Sequence, residues 1–224
     1  MNNAKQLLYP SMFFFLILCS IVLYPNTPKS FAADYDPIVA ELKKDNWRTG
    51  LSKTGAMNLN DETIFNAFVN LINNTGLDWR IRIRGITVLG ESGNPRTADF
   101  LMQTFYNAFV TDECPAIKTS LASELGNFRD DTRVIDALIS GLDDSELQVR
   151  EASIRSLGII GNTRALPFLI ERLNDGNFAV RVSAIRSIGQ IGDKKAVPFL
   201  KKIADNDGDA LLRKEAETAL LRIK

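Results

Sequence analysis

A segment of this chain recurs in one register at an offset of 31 residues, and that repetition constrains the fold more than any other feature. Val149-Arg150 returns as Val180-Arg181, and Ile154-Arg155-Ser156-Leu157-Gly158 returns as Ile185-Arg186-Ser187-Ile188-Gly189. Gly161 returns as Gly192, and Ala165-Leu166-Pro167-Phe168-Leu169 as Ala196-Val197-Pro198-Phe199-Leu200. Fainter copies carry Ile117-Lys118 with Leu125-Gly126 upstream, Ile81-Arg82 with Leu89-Gly90 further back, and Leu212-Arg213 downstream. So many matches in one register make the unit, rather than any single motif, the object to be folded.

Each unit reads as two helices. Val149, Ala152, Ser153, Leu157 and Ile160 fall at steps of three and four, an amphipathic helical stripe. Gly161-Asn162 then suits a left-handed helix end followed by a cap for the next helix, and Gly192-Asp193 and Gly93-Asn94 repeat that chemistry. Ala165, Leu166, Leu169 and Leu173 form the second stripe, with Pro167 and Pro198 in a first turn that they are expected to make irregular. Asp143-Asp144, Asn174-Asp175 and Asp205–Gly208 supply the turn into the next unit. One hairpin cannot bury its stripe alone, so the copies are expected to stack side by side as an α-solenoid. The polar side of the last helix, Leu211–Lys224, is expected to cap the open end of the stack. The region 36–75 does not align with the units, but its apolar spacing predicts helices near Pro37–Lys44 and Glu62–Ile72. Asp45–Asn60 is left as a long connection, either a functional loop or a divergent linker.

The pattern Val-Arg-x-x-(Ala/Ser)-Ile-Arg-Ser-(Leu/Ile)-Gly-x-Ile-Gly-(Asn/Asp)-x-(Arg/Lys)-Ala-(Leu/Val)-Pro-Phe-Leu resembles the HEAT repeat, and more narrowly the short HEAT-like repeats of phycobilisome-lyase-like proteins. The resemblance is close over 147–207, moderate at 79–110 and 115–144, and leaves half a unit at 209–224. It implies an all-α, right-handed α-solenoid of about five helix hairpins, with the second helices lining the concave surface. The expected organisation is residues 1–33 as a signal peptide, 34–78 as a divergent helical repeat and 79–224 as the repeat array.

The leader is read from its composition. Residues 1–33 contain Lys5 and Lys29 and no acid, and Ser11–Tyr24 is uncharged. Such a core is the length of a signal peptide, whereas a bilayer span takes roughly 20 apolar residues. Cleavage is expected after Ala32 or Ala33, with a membrane anchor over residues 7–24 as the alternative. Cys19 ends a poor lipobox, because Leu18 stands where a small residue is wanted. Export, most simply to a bacterial periplasm, would leave Cys114 as the one cysteine and hence no intrachain disulfide.

The whole chain has 27 basic and 27 acidic residues and no histidine. Removal of the two leader lysines leaves 25 basic against 27 acidic residues, a net charge of −2. Nucleic acid is therefore not an expected partner. The missing histidine removes the Ser-His and Cys-His nucleophile pairs. It also defeats transfer of the His-Glu iron motif of deoxyhypusine-hydroxylase-like HEAT enzymes. No catalytic residue, metal or cofactor is expected. Cys114, before Pro115 at a helix start, reads as inert.

Two ladders remain. Arg82, Lys118, Arg150, Arg181 and Arg213 recur at the Val-Arg position, and Gly90, Gly126, Gly158 and Gly189 follow the first four by eight residues. We read both sets as structural, the basic residues answering Asp/Asn turns and helix C-terminal carbonyls, with an anion-binding stripe as the alternative for the basic set. Arg96, Arg133, Arg164 and Lys195 recur at the start of each second helix, with Phe100, Ala137, Phe168 and Phe199 four positions on. Residues so spaced share a helical face. The Phe–Arg stripe is a candidate partner-binding surface, the alternative being phenylalanines that fill gaps between repeats. The expected role is a monomeric, non-catalytic scaffold that binds another protein through its concave face. Lyase-like or cofactor-chaperone activity, and an envelope scaffold anchored by its leader, are the alternatives.

Overall fold

The computed structural model describes residues 36–54, 58–110 and 113–223; the predicted leader lies outside the described residues. Among the described residues twelve α-helices follow one another: α1 (Asp36–Leu42), α2 (Trp47–Thr54), α3 (Glu62–Asn73), α4 (Trp79–Glu91), α5 (Pro95–Val110), α6 (Pro115–Leu125), α7 (Thr132–Ser140), α8 (Leu147–Ile160), α9 (Leu166–Glu171), α10 (Phe178–Ile191), α11 (Val197–Asn206) and α12 (Ala210–Arg222). Among the described residues there is no strand.

The first helices of successive units stand side by side: α1 packs on α4, α4 on α6, α6 on α8, α8 on α10 and α10 on α12. Each second helix packs on the first helix that follows, as α5 does on α6 and α11 on α12, giving two layers over one core that runs from Ile38 to Ala219. Val149, Leu157, Val180 and Ile188 are wholly out of water at its centre. Each such side chain contributes about 1.5–3 kcal/mol relative to exposure.

Local chemistry separates the two helices at three of the unit hairpins where the repeat places a glycine. Gly93, Gly161 and Gly192 have φ of 63°, 73° and 72°, the left-handed region in which a Cβ is strained. The next residue, Asn94, Asn162 or Asp193, then accepts the backbone N–H two positions on. The proline-bearing second helices begin with 3-10 turns at Thr163–Ala165 and Lys194–Ala196 before becoming α-helical.

The glycines at 90, 126, 158 and 189 do something different. They lie at the seam between first helices, where the next unit approaches too closely for a side chain. A Cβ on Gly126 would come within 2.8 Å of Ser156 Oγ, and one on Gly189 within 2.8 Å of Ala219 Cβ.

The segment 45–60 departs from expectation, because it contains α2. Trp47 and Leu51, one helical turn apart, are buried at 8% and 0% exposure and anchor the helix. Arg48 lies 4.4 Å from the centre of the Trp47 ring and pairs with Glu91 at 2.8 Å.

Candidate interaction surface

The basic residues of the first helices are drawn into the stack. Arg82 donates to the Ile72 carbonyl at 2.8 Å and to Glu113 at 2.7 Å. Lys118 pairs with Asp144 at 2.8 Å, and Arg150 with Asp175 at 3.1 Å. Each of these carboxylates lies in the turn before the next first helix, so the pairs stitch one unit to its successor. Arg150, Arg181 and Arg213 also donate to the carbonyls of Asp144, Asp175 and Asp207, six residues behind each. These groups are committed to protein partners. Arg82 pushes the Glu113 carboxyl below its ordinary range, chiefly by hydrogen bonding and against the effect of burial.

The second ladder lies on the opposite layer and faces water. Its backbone is fixed by the caps: Asn94, Asp131, Asn162 and Asp193 accept the N–H groups of Arg96, Arg133, Arg164 and Lys195. Three of its side chains find acids on the preceding unit. Arg96 reaches Glu62 at 3.4 Å, Arg133 reaches Asp99 at 2.8 Å, and Arg164 reaches Asp136 at 2.8 Å. Asp99 and Asp136 stand three residues after Arg96 and Arg133, a spacing visible in the sequence whose pairing across units only the stack creates. The corresponding residue after Arg164 is Pro167, so Lys195 meets no acid there.

The aromatic positions divide. Phe168 is 39% and Phe199 45% exposed, whereas Phe100 is 5% exposed. Phe100 must therefore be removed from the exposed stripe. Its ring makes an edge contact with Phe65 of α3, centroids 6.5 Å apart and planes at 77°, while Arg96 covers the other partner by stacking 4.2 Å from the Phe65 ring centre. Ala137 is buried as well. Of the four repeat positions of the stripe, only those on the last two second helices present an exposed ring, Phe168 beside Arg164 and Phe199 beside Lys195.

Other aromatics outside the stripe are exposed as well. Tyr106 on α5 is 40% exposed; its hydroxyl is pushed above its ordinary pKa by burial first and by Asp136 second. Trp79 and Phe178 stand at the first position of α4 and α10, each with an arginine over its ring, Arg80 at 4.6 Å and Arg181 at 5.6 Å. Repeat alignment pairs Trp79 with Phe178, so the sequence itself marks the position.

Between α10 and α12 a shallow cleft is lined by Arg186, Gln190, Glu215, Thr218, Ala219 and Arg222. Arg186 and Glu215 fill it with a two-pronged pair at 2.9 and 2.5 Å. Cys114 caps the start of α6 without a side-chain hydrogen bond and rests half-buried on the core. Among the described residues, no group of three His, Cys, Asp or Glu residues is placed to hold a metal ion. No helix among them is long and apolar enough to cross a membrane.

Solved structures share this architecture. A designed armadillo repeat protein in complex with the peptide (KR)4 is 16% identical, with a TM-score of 0.54 over 84% of this chain and 99% of that one. An archaeal HEAT-like repeats protein from Thermococcus onnurineus is 14% identical, with a TM-score of 0.50 over 88% and 82% of the two chains. The phycocyanin lyase complex of CpcE and CpcF from Nostoc sp. shows 20% identity and a TM-score of 0.49 over 90% and 79%. No curated protein sequence matches the chain. The model of HEAT repeats matches residues 103–178 and 135–221. Together these matches span 103–221, more than half the chain and the same stretch in which helix pairs stack through glycine seams, and the chain therefore belongs to the HEAT repeat family.

Proposed function

We propose that this HEAT-repeat protein is an exported, non-catalytic scaffold that binds another protein through the second-helix face of its C-terminal units. The observation that carries this reading is the exposure of Phe168 (39%) and Phe199 (45%) at equivalent positions of consecutive units, beside Arg164 and Lys195. Aromatic residues and arginine are enriched at protein interfaces and their hot spots. Export rests on the uncharged core Ser11–Tyr24 and the small residues at Ala32 and Ala33, and the periplasm is the compartment these favour.

Affinity capture from the native envelope fraction, with wild-type bait beside Phe168→Ala/Phe199→Ala bait, tests both parts. A specific partner retained by wild type and lost by the variant supports the surface, and mass spectrometry of the bait reads its N-terminus. Equal capture by the two baits overturns the surface. A bait that retains Lys5 overturns cleavage.

A further inference from the structure

The exposed rings lie where the charge balance of the second-helix face changes. Up to Arg164 every rung is neutralised: Glu62 with Arg96, Asp99 with Arg133, Asp136 with Arg164. Beyond it the acid position is Pro167, and α11 with its leading turn carries Lys194, Lys195, Lys201 and Lys202. No ion pair among the described residues reaches these four lysines. Asp193 is occupied in capping α11, and Glu171 stands beside Arg172 at 3.6 Å. The uncommitted charge around Phe199 is therefore positive, in a chain whose net charge is zero, while Phe168 adds a neighbouring ring flanked by the neutralised Arg164 and by Glu171.

Spacing narrows the partner further. Helices stacked side by side have axes about 8–10 Å apart, and Phe168 and Phe199 hold equivalent positions on consecutive second helices. A polyproline-II segment has three residues per turn and a rise of about 3.1 Å, so its residues i and i+3 point the same way at about 9 Å. A β-strand presents i and i+2 at only about 7 Å. Along α11, Lys195, Phe199 and Lys202 occupy one helical face at i, i+4 and i+7. A ligand anchored on the rings thus brings its residues next to the Phe199 anchor toward the lysines on either side of that ring. The chain's own residues 1–33 carry Lys5 and Lys29 and no acid, and their charge does not suit this surface.

We infer that the Phe168–Phe199 surface holds an acidic, extended segment of the partner protein in polyproline-II conformation, with apolar side chains three residues apart. This rests on the interaction surface proposed above and specifies the chemistry of its occupant.

The test is fluorescence anisotropy of the full chain with labelled synthetic peptides: a Leu-Asp-Pro repeat, a Leu-Lys-Pro repeat, and an acidic helix-forming peptide without proline. The Leu-Asp-Pro peptide should bind about tenfold or more tighter than either control, and the preference over lysine should shrink as salt rises. Phe168→Ala/Phe199→Ala and Lys195→Glu/Lys202→Glu should each weaken it about tenfold with unchanged circular dichroism. Equal binding of the lysine peptide, tighter binding of the helical one, or indifference to both variants overturns the inference. Concentration-dependent self-association that Phe168→Ala/Phe199→Ala abolishes also overturns it, because the occupant is then a second copy. Should envelope capture depend on Phe168 and Phe199 while the Leu-Asp-Pro peptide fails to bind, the acidic-segment inference falls and the surface itself stands.

Discussion

Lys118 Nζ meets an Asp144 carboxylate oxygen at 2.8 Å, and the two side chains are 6% and 2% exposed. Lys118 belongs to α6 and Asp144 to the turn before α8, so the pair joins two units. The other Asp144 oxygen accepts the Glu146 N–H at 2.8 Å, which shapes that turn. Both charges have left water, and each depends on the other. Lys118→Met should destabilise the protein by about 3–5 kcal/mol, because it strands a buried carboxylate. Adding Asp144→Asn should recover part of that loss, since the amide keeps the turn contact without the charge. Urea unfolding of the two variants beside wild type measures both effects.

The two kinds of glycine should respond differently to alanine. A Cβ on Gly189 would lie 2.8 Å from Ala219 Cβ and 2.9 Å from its Cα, and backbone cannot rotate aside. Gly189→Ala should cost about 1–3 kcal/mol by overpacking and should loosen α12 before the rest. Gly161 and Gly192 have nothing within 4 Å of such a Cβ, so their alanine variants should cost about 1–2 kcal/mol from the left-handed backbone alone. Hydrogen exchange distinguishes the cases: fast exchange confined to α12 follows from the first and not from the second.

The close copies at 147–207 make stacking, caps and glycine seams legible, because one register carries all three. Legibility fails where a side chain's environment comes from a neighbour outside that register. Phe100 holds the same repeat position as Phe168, yet α3, in the unaligned segment, places Phe65 against it. Helix α2 was hidden because Trp47 and Leu51 are its two buried apolar anchors within a polar stretch. The acids that pair with Arg133 and Arg164 were in plain view at Asp99 and Asp136, but pairing across units is a property of the stack and not of a single helix.

Glu124 breaks the seam pattern and should give the protein a pH response. Ser156, Ser187 and Ala219 oppose the other seam glycines, whereas Glu124 opposes Gly90. Burial raises its carboxyl to about 7 from an ordinary 4.5, with Glu91 adding to the rise and Thr87, Arg48 and Asn127 opposing it. The folded state therefore holds this proton more tightly than the unfolded chain. Stability from this group is complete below pH 4.5 and declines as pH rises to about 7. The side chain is partly solvated, which reduces the loss to about 1–2 kcal/mol. Glu113, Asp131 and Glu215 have lowered values and act in a more acidic window, so the comparison of interest is with Glu124→Gln. That variant should gain about 1–2 kcal/mol over wild type at pH 8 and nothing at about pH 4. An equal difference at both pH values would show that the carboxyl does not titrate in this range.

Binding and folding should separate cleanly at the aromatic positions. Phe168 and Phe199 keep 39% and 45% of their surface in water, whereas Phe100 keeps 5%. Phe100→Ala would empty the space beside Phe65 and also unsettle the ring on which Arg96 stacks, at a cost of about 3–5 kcal/mol. Phe168→Ala and Phe199→Ala create no comparable cavity, and each should cost about 1 kcal/mol or less. Urea midpoints for the three variants, read beside their partner capture, test this ordering. A loss of capture that tracks the midpoint would mean that the rings serve the stack; a loss confined to Phe168 and Phe199, at near-native stability, would mean that they serve the partner.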